Sequence, residues 1–401
     1  MRVVGITAEY NPFHKGHRYH LEKSRELTEA EYAVAVMSGD FTQRGEAALA
    51  DKWVRSRWAV EEGLDLVVEL PFIRACDIGS SFAEGAVDIL AGLGATHISF
   101  GSESGDIEEL QYTAEALREK SEEIKRMIKI SMKEGLSFGR SLYEAAEGII
   151  GREDARLMKS PNNILALEYL KRINEINRKG GRITAVTVKR KGSGYFEACE
   201  KTGFAGAGAI RRLASEGRGE EASLYVSAAV ARYIAEKNHG DREEKMFRLL
   251  RYEIMRSSLK DLSQIRFVGE GMEHRLKREA AKAGSLMELV ADMVSRRYTE
   301  AAVKRMLTAL LLGIKKGEED FTPYGRVLAA GKKGRELLRI IKKEELARIP
   351  VITNVNRLSG EALSAAKSIE TDIHAADMYN LIEGRDLYSF SDRVITPYIE
   401  K

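Results

Sequence analysis

The chain has 401 residues, too many for one compact core, so two or three structural units are expected. Hydrophobic residues make up 44% and charged residues 31%, with 6 Pro and 35 Gly, which excludes wholesale disorder, collagen and low-complexity repeats. Two cysteines, Cys76 and Cys199, cannot build a disulfide framework or a four-thiolate zinc site. The net charge of +3 conceals an asymmetry: Lys and Arg number 28 against 32 Asp and Glu over 1–200, but 36 against 29 over 201–401. No run of 18 apolar residues occurs and the start, MRVVGITAEYNPF, lacks a secretory layout, so a soluble cytoplasmic protein with no membrane contact is expected.

The first hundred residues alternate strand and helix patterns. Val3–Thr7 reads as a strand, His17 to about Glu29 as a helix, Tyr32–Met37 as a second strand, and about Asp51 to Glu62 as a helix. LDLVVELPF (64–72) is a third buried strand, a helix follows at about 80–92, and THISFG (96–101) is a fourth. Strands apolar throughout and separated by helices predict a parallel sheet covered on both faces. From about 106 to 179 the pattern is helical, an insertion before the strand at 181–190, and the sheet domain is expected to close near 215. Beyond about 220 the reading is helical, with a boundary at the polar stretch Glu216–Glu221; the units are therefore 1–218 and 219–401, the second mainly α-helical. Its basic clusters, among them HRLKR (274–278) and GKKGRELLRIIKK (331–343), fit either a solvated helix face or a nucleic-acid surface.

Chemistry concentrates where the first strand ends, in Glu9-Tyr10-Asn11-Pro12-Phe13-His14-Lys15-Gly16-His17. Ligands of open α/β sheets bind at the carboxyl ends of strands. Gly16 permits close backbone approach, the helix start offers N–H donors, and two imidazoles add more, a set suited to a phosphoryl group in in-line displacement. A metal pair at His14 and His17 lacks a third ligand, and a purely capping role leaves the Asn-Pro and the Gly unexplained. Asp40, Gln43 and Arg44 lie in a polar loop after the second strand at the same edge, where Asp40 suits Mg²⁺ or one wall of a ligand pocket and Arg44 a bidentate anion. Lys15 and Lys52 are further candidates for triphosphate charge, or else exposed helix-flanking lysines.

HKGH has the HxGH form of the nucleotidyltransferase superfamily that includes class I aminoacyl-tRNA synthetases. AEYNPFHKGHRYHL and MSGDFTQRGEAALADKW (37–53), followed by GLDLVVELPF, SFAEGAVDIL (81–90), SFGSE (99–103), SPNNILALEYL (160–170) and VKRKGSGY (188–195), resemble the bacterial tRNA(Met) cytidine acetate ligase family. The resemblance spans the sheet domain and is weaker over the helical half. It implies an α/β fold: a Rossmann-like, parallel-sheet nucleotidyltransferase domain followed by a mainly α-helical, basic, tRNA-binding domain. The implied reaction forms acetyl-adenylate and pyrophosphate from ATP and acetate, then transfers acetyl to N4 of the wobble cytidine of elongator tRNA(Met), with Mg²⁺ balancing the triphosphate and no protein metal ligands. His14, His17, Asp40 and Arg44 are the catalytic candidates. The ATP contacts implied are Thr7, Ala8, Glu9, Tyr10, Asn11, Pro12, Phe13, His14, Lys15, Gly16, His17, Arg18, Tyr19 and His20, then Gly101, Asn162 and Arg190, with Ile210 and Arg211.

By local sequence alone Gly101 is a strand-end turn, and Asn162, after Ser160-Pro161, is helix-start chemistry. One departure is plain: where many relatives carry hydroxyl residues before Ile-Arg, this chain has Phe204-Ala-Gly-Ala-Gly-Ala-Ile210-Arg211, so a side-chain hydroxyl contact to phosphate does not carry over. Two other functions share these features: a nucleotidyltransferase acting on a small metabolite, and a non-catalytic RNA-binding descendant. The large basic second half favours a macromolecular substrate, and charge reversal at Lys332, Lys333 and Arg335 is expected to weaken tRNA binding. The sequence carries no signature of oligomeric state.

Overall fold

The computed structural model describes residues 1–191, 203–237, 241–269 and 271–401, together with the backbone of Ala198–Cys199. The end of the VKRKGSGY string beyond Lys191 and the side chain of Cys199 lie outside the described residues. Strands β1 (Val3–Ala8), β2 (Tyr32–Ser38), β3 (Leu66–Leu70), β4 (His97–Ser102) and β5 (Thr184–Lys189) pair in parallel in the order β3-β2-β1-β4-β5. Every residue of β2 and β3 is buried, as unbroken apolar runs require when both faces of a sheet are covered.

Helix α1 (Lys15–Thr28) follows β1, α2 (Lys52–Glu61) follows β2, and α3 (Phe72–Ala75) and α4 (Gly79–Gly92) follow β3. Asp51 starts α2 by accepting the N–H of Val54 at 2.8 Å, and Pro71, which has no N–H to donate, ends β3. The chain moves from β1 outward to β2 and β3, then returns to β4 on the other side of β1. That reversal opens a crevice at the carboxyl ends of β1 and β4. Between β4 and β5 run the helices Ile107–Glu119, Ser121–Lys133, Phe138–Ile150 and Pro161–Arg178. The last of these packs with α4 on one face of the sheet, where Leu90, Leu167 and Ile173 meet Val34, Val68 and Ile98. The other face is covered by α1, α2 and the helices Ala207–Ser215 and Ala228–Glu236, with Leu21, Trp58, Ile210 and Val230 against Ile6, Met37 and Val67. A two-stranded antiparallel ladder, β6 (Ala198–Cys199) with β7 (Phe204–Ala205), precedes the helix Ala207–Ser215.

The sheet does not close near residue 215. β8 (Gly325–Ala330) lies antiparallel against β3, pairing Val67 with Ala329, and β9 (Val351–Ile352) and β10 (Tyr398–Ile399) pair in parallel with β8. GRVLAA is fully buried, Arg326 included, and its four-residue apolar run VLAA is too short to carry a period that separates it from a piece of helix. Packing also continues across Glu216–Glu221, because Ala222, Tyr225 and Val230 share a cluster with Tyr10, Phe13 and Leu213. The remainder of the second half is mainly helical. Its core, built on helices Arg242–Arg256, Met272–Lys282, Glu300–Leu311 and Ala366–Glu383, takes in Phe41 from the loop after β2 and Phe72 and Cys76 from α3 and its end. No described helix is long and apolar enough to cross a membrane.

The helix Lys332–Lys343 starts at the amino edge of the sheet. Gly331 N–H donates to the Asp65 carbonyl just before β3 at 2.8 Å, Lys333 Nζ lies 3.5 Å from the Glu31 carbonyl just before β2, and Arg335 Nη1 donates to the Glu400 carbonyl at 3.2 Å. Six residues of β1 span about 20 Å. The cluster of Lys332, Lys333 and Arg335 therefore stands on the edge opposite HKGH.

Candidate active site

The segment after β1 is shaped by packing. Tyr10 takes a left-handed conformation (φ 45°), the Asn11–Pro12 peptide is cis, and Tyr10, Asn11, Pro12, Phe13 and His14 are buried. Tyr10 and Phe13 wall the His17 ring at centroid distances of 4.9 and 5.5 Å. His14 caps α1: its Nδ1 accepts the Gly16 N–H at 3.0 Å, and His17 Nδ1 faces the His14 N–H at 3.3 Å. The rings stack at 3.7 Å between centroids. A methyl group on Gly16 would lie 2.8 Å from His14 Cε1, so this ring position requires glycine.

The expected free N–H donors at the start of α1 are not there. Lys15 N–H donates to the Tyr225 carbonyl at 2.9 Å, Gly16 N–H to His14 Nδ1, and His17 N–H to the His14 carbonyl at 2.8 Å. The capping pattern provides different donors. With both Nδ1 atoms turned to backbone N–H groups, each neutral imidazole carries its proton on Nε2. Burial, reinforced by Arg190, pulls His14 down to about 3; burial with His14, Arg190 and His20 also lowers His17. Two uncharged N–H donors are thus fixed side by side without the cost of a buried charge.

His20, one turn on, is lowered to about 4 by burial and Arg190, and its Nε2 lies 3.1 Å from Ser99 Oγ in β4. Ser24 Oγ donates to the His20 carbonyl and stands 2.7 Å from Ser99 Oγ, a chain that ties α1 to β4. Arg190 N–H continues the β4–β5 ladder by donating to the Ser102 carbonyl at 2.9 Å, and its stem passes 3.4 Å from where a Cβ on Gly101 would sit. The structure therefore brings His14, His17, His20, Gly101 and Arg190 together at the crevice. Thr7 and Ala8 end β1, Lys15 is exposed, and Arg18 pairs with Glu22 at 3.1 Å and Glu62 at 3.5 Å. Lys191 Nζ stands 4.3 Å over the Tyr19 ring, which meets Phe204 at 6.0 Å.

Other expected site residues have inward partners. Asn162 donates its side-chain amide to Glu103 Oε1 at 2.7 Å, while Glu103 Oε2 accepts the Asn163 N–H at 2.8 Å; a carboxylate caps the helix Pro161–Arg178. Ile210 is fully buried in the core, and Arg211 donates to the Asn11 carbonyl at 2.8 Å and pairs with Glu46 at 3.3 Å. Asp40 is not gathered with the imidazoles: its Oδ1 accepts the Lys52 N–H at 2.7 Å, and burial pushes its carboxyl up to about 6. Lys52 is not exposed, and its partners are carboxylates outside HKGH. Its ammonium is completely buried, 2.7 Å from Glu69 and 2.5 Å from Asp392, which Arg326 also joins at 3.0 and 2.8 Å. Arg44 is half-buried, and its charge acts on Glu46 and Arg305. Among the described residues no group of three or more His, Cys, Asp or Glu is placed to hold a metal ion.

Sequence reasoning missed three organising residues. Arg55, fully buried, donates to the carbonyls of Glu9 (2.6 Å), Ser38 (3.1 Å), Gly39 and Ala50 (2.8 Å), fixing the loop after β2 against the end of β1. Glu46 joins Arg211 to Lys304 of the helix Glu300–Leu311 at 2.7 Å, so one carboxylate couples the two halves of the chain beside Asn11. Glu103 is the third. Glu46 and Glu103 lie inside family-like strings and Arg55 just beyond one, but nothing in their spacing distinguishes them from surface charges.

Residues 1–391 match the family described as HIGH Nucleotidyl Transferase. The chain is 39% identical over 389 residues to the tRNA(Met) cytidine acetate ligase of Thermoanaerobacter sp. (strain X514), covering 95% of each. It is 35% identical over 395 residues to the protein of the same name from Bacillus subtilis (strain 168), covering 95% of this chain and 92% of that one. The crystal structure of Thermotoga maritima TmcAL in an apo form matches with a TM-score of 0.88 at 29% identity, and that of TmcAL bound with alpha-thio ATP with 0.86 at 30%, each over 100% of both chains.

Proposed function

This chain belongs to the tRNA(Met) cytidine acetate ligase family, and we propose that it activates acetate with ATP and passes the acetyl group to N4 of the wobble cytidine of elongator tRNA(Met). The observation that carries the reading is the stacked pair His14 and His17, two neutral Nε2–H donors beside Arg190 at the crevice between β1 and β4. Acetate is ionised at neutral pH, so its attack on the α-phosphorus needs no general base. It needs alignment of the reactants and donors for the charge that grows on the phosphoryl oxygens. His14 and His17 supply uncharged donors, Arg190 supplies a cation, and Gly101 leaves room beside it for the nucleotide. Mg²⁺ would arrive with the triphosphate and offset its charge, since among the described residues none are grouped to hold it.

The RNA reaches the crevice across the carboxyl edge of the sheet. There the second half meets the motif and the loop beside it, Tyr225 accepting the Lys15 N–H and Lys304 pairing with Glu46. Lys332, Lys333 and Arg335 face the other edge and are not part of this surface. The test is pyrophosphate release from ATP by the purified protein, with and without acetate, in the absence of tRNA. Release that requires acetate is expected. Release that does not depend on acetate overturns the proposal, and no release even with acetate and unmodified tRNA(Met) leaves a small-metabolite nucleotidyltransferase, whose acceptor the assay lacks, or a non-catalytic RNA-binding descendant, with the segment Phe204–Arg211 as the reason.

A further inference from the structure

Adenylation of acetate sets no proton free at the carboxylate, but the second step does. A cytosine N4 amine that attacks the acetyl carbon gains an N–C bond, the C–O bond to the adenylate phosphate breaks, and its electron pair leaves on AMP. The nitrogen must lose one proton, and an exocyclic amine conjugated with its ring is too poor a nucleophile to do so unaided. A proton acceptor is therefore needed beside the acyl group, on the side of the crevice that the nucleotide does not fill.

Gly101 and Arg190, at the ends of β4 and β5, mark the nucleotide side. Glu9, which the resemblance counts among the ATP contacts, is placed by this reading at the other side. It follows Ala8, which pairs with Met37, so it sits beside Ser38 where β1 meets the loop after β2. One carboxylate oxygen, Oε1, accepts the Gln43 N–H at 2.8 Å, and the Gln43 side chain is itself held by the Asp77 carbonyl at 2.8 Å. No Lys or Arg among the described residues forms an ion pair with Glu9. The two cations whose charge acts on it are committed elsewhere: Arg55 to the carbonyls of Glu9 itself, Ser38 and Ala50, and Arg211 to the Asn11 carbonyl and the Glu46 carboxylate. Among the described residues the half-buried carboxylate is held through one oxygen only and forms no ion pair, so at the carboxyl edge its second oxygen can serve a ligand.

On the reading above, we propose that Glu9 is the base of the transfer step, taking the N4 proton as the acetyl group moves to the cytidine. Desolvation raises the Glu9 carboxyl above its ordinary value against the pull of the Gln43 N–H, Arg211 and Arg55, which strengthens it as a proton acceptor. Asp40 is unsuited to the role, being turned to the start of α2.

Glu9→Gln keeps the size of the side chain and the oxygen that receives the Gln43 N–H, and removes only basicity. Two rates are read on the full-length protein: acetate-dependent exchange of pyrophosphate into ATP, which reports the first step, and single-turnover transfer of labelled acetyl to unmodified tRNA(Met). The expected result is a ratio of transfer to exchange at least a hundredfold below that of the wild type, within the range of about 10²–10⁴ for loss of a general base. Glu9→Asp, which keeps the base on a shorter stem, should recover part of that ratio. The proposal is overturned if Glu9→Gln leaves the ratio within threefold of wild type, whether both rates persist or both fall together, or if Glu9→Asp lowers it as far as Glu9→Gln. Absence of acetate-dependent exchange in the wild-type protein would instead overturn the function proposed above.

Discussion

Substituting alanine for Gly16 tests the imidazole pair at its weakest tolerance. A Cβ built at Gly16 stands 2.8 Å from His14 Cε1 and 3.0 Å from Nδ1, where ordinary contact begins at 3.4 Å, so the ring must retreat by roughly 0.6 Å or rotate. Either movement breaks the Gly16 N–H to Nδ1 bond that holds the Nε2–H tautomer and unstacks His14 from His17. Loss of the cap costs about 1 kcal/mol, and alanine in place of glycine in a helix returns up to about 1 kcal/mol, so stability should stay nearly constant. Catalysis should not. A displaced donor costs about 2.7–4 kcal/mol, which predicts a 10²–10³-fold fall in acetate-dependent ATP–pyrophosphate exchange. The assay is exchange at saturating ATP and acetate, with urea denaturation of the same variant alongside. Exchange within threefold of wild type would refute the claim that His14 must sit where this structure places it; a large loss of stability would refute the separation of folding from chemistry.

Three further outcomes are expected. In the folded protein the imidazoles of His14, His17 and His20 should stay neutral at pH 5.5, read by side-chain NMR. Because their folded-state pKa values lie below the ordinary 6.5, the unfolded chain binds protons that the folded chain does not. Their contribution to stability is then complete above about pH 6.5 and is lost as the pH falls through about 4 toward about 3, a trend that urea titrations at several pH values would reveal or refute. Lys52→Met leaves Glu69 and Asp392 buried with Arg326 as their remaining partner and should cost about 3–5 kcal/mol by denaturant titration; a loss under about 1 kcal/mol would show that the cluster reorganises. Reversing the charges at Lys332, Lys333 and Arg335 together should leave tRNA affinity within about twofold and its salt slope unchanged, whereas a tenfold loss would place that helix in the RNA interface.

Much of the nucleotide half was legible because local signals agree with one another there. Apolar strands of five to seven residues, helices with their own start signals, and an HxGH motif at the first strand-to-helix turn each specify the same parallel sheet, with the same edge for the ligand. Recognising the family strings then pointed to the carboxyl edge and to His14, His17, Gly101 and Arg190, which the fold gathers. What depended on pairing across the chain was not legible. GRVLAA reads as nothing in particular until β3 offers an open edge to it, and the boundary near 218 dissolves because Tyr225 and Val230 are needed to cover Phe13 and Tyr10.

The same limit governs the charges. A lysine after Asp51 looks like a solvated helix start, and only the arrival of Asp392 and Arg326 from the far end of the chain makes Lys52 a buried cation. Asp40 and Arg211 carry the right chemistry at the right edge, yet a backbone N–H and a backbone carbonyl claim them. Residue type and spacing determined which groups reach the carboxyl edge. Which of them turn toward a ligand was decided by the tertiary structure, because every buried donor and acceptor must first satisfy its neighbours, and those neighbours are distant in the chain.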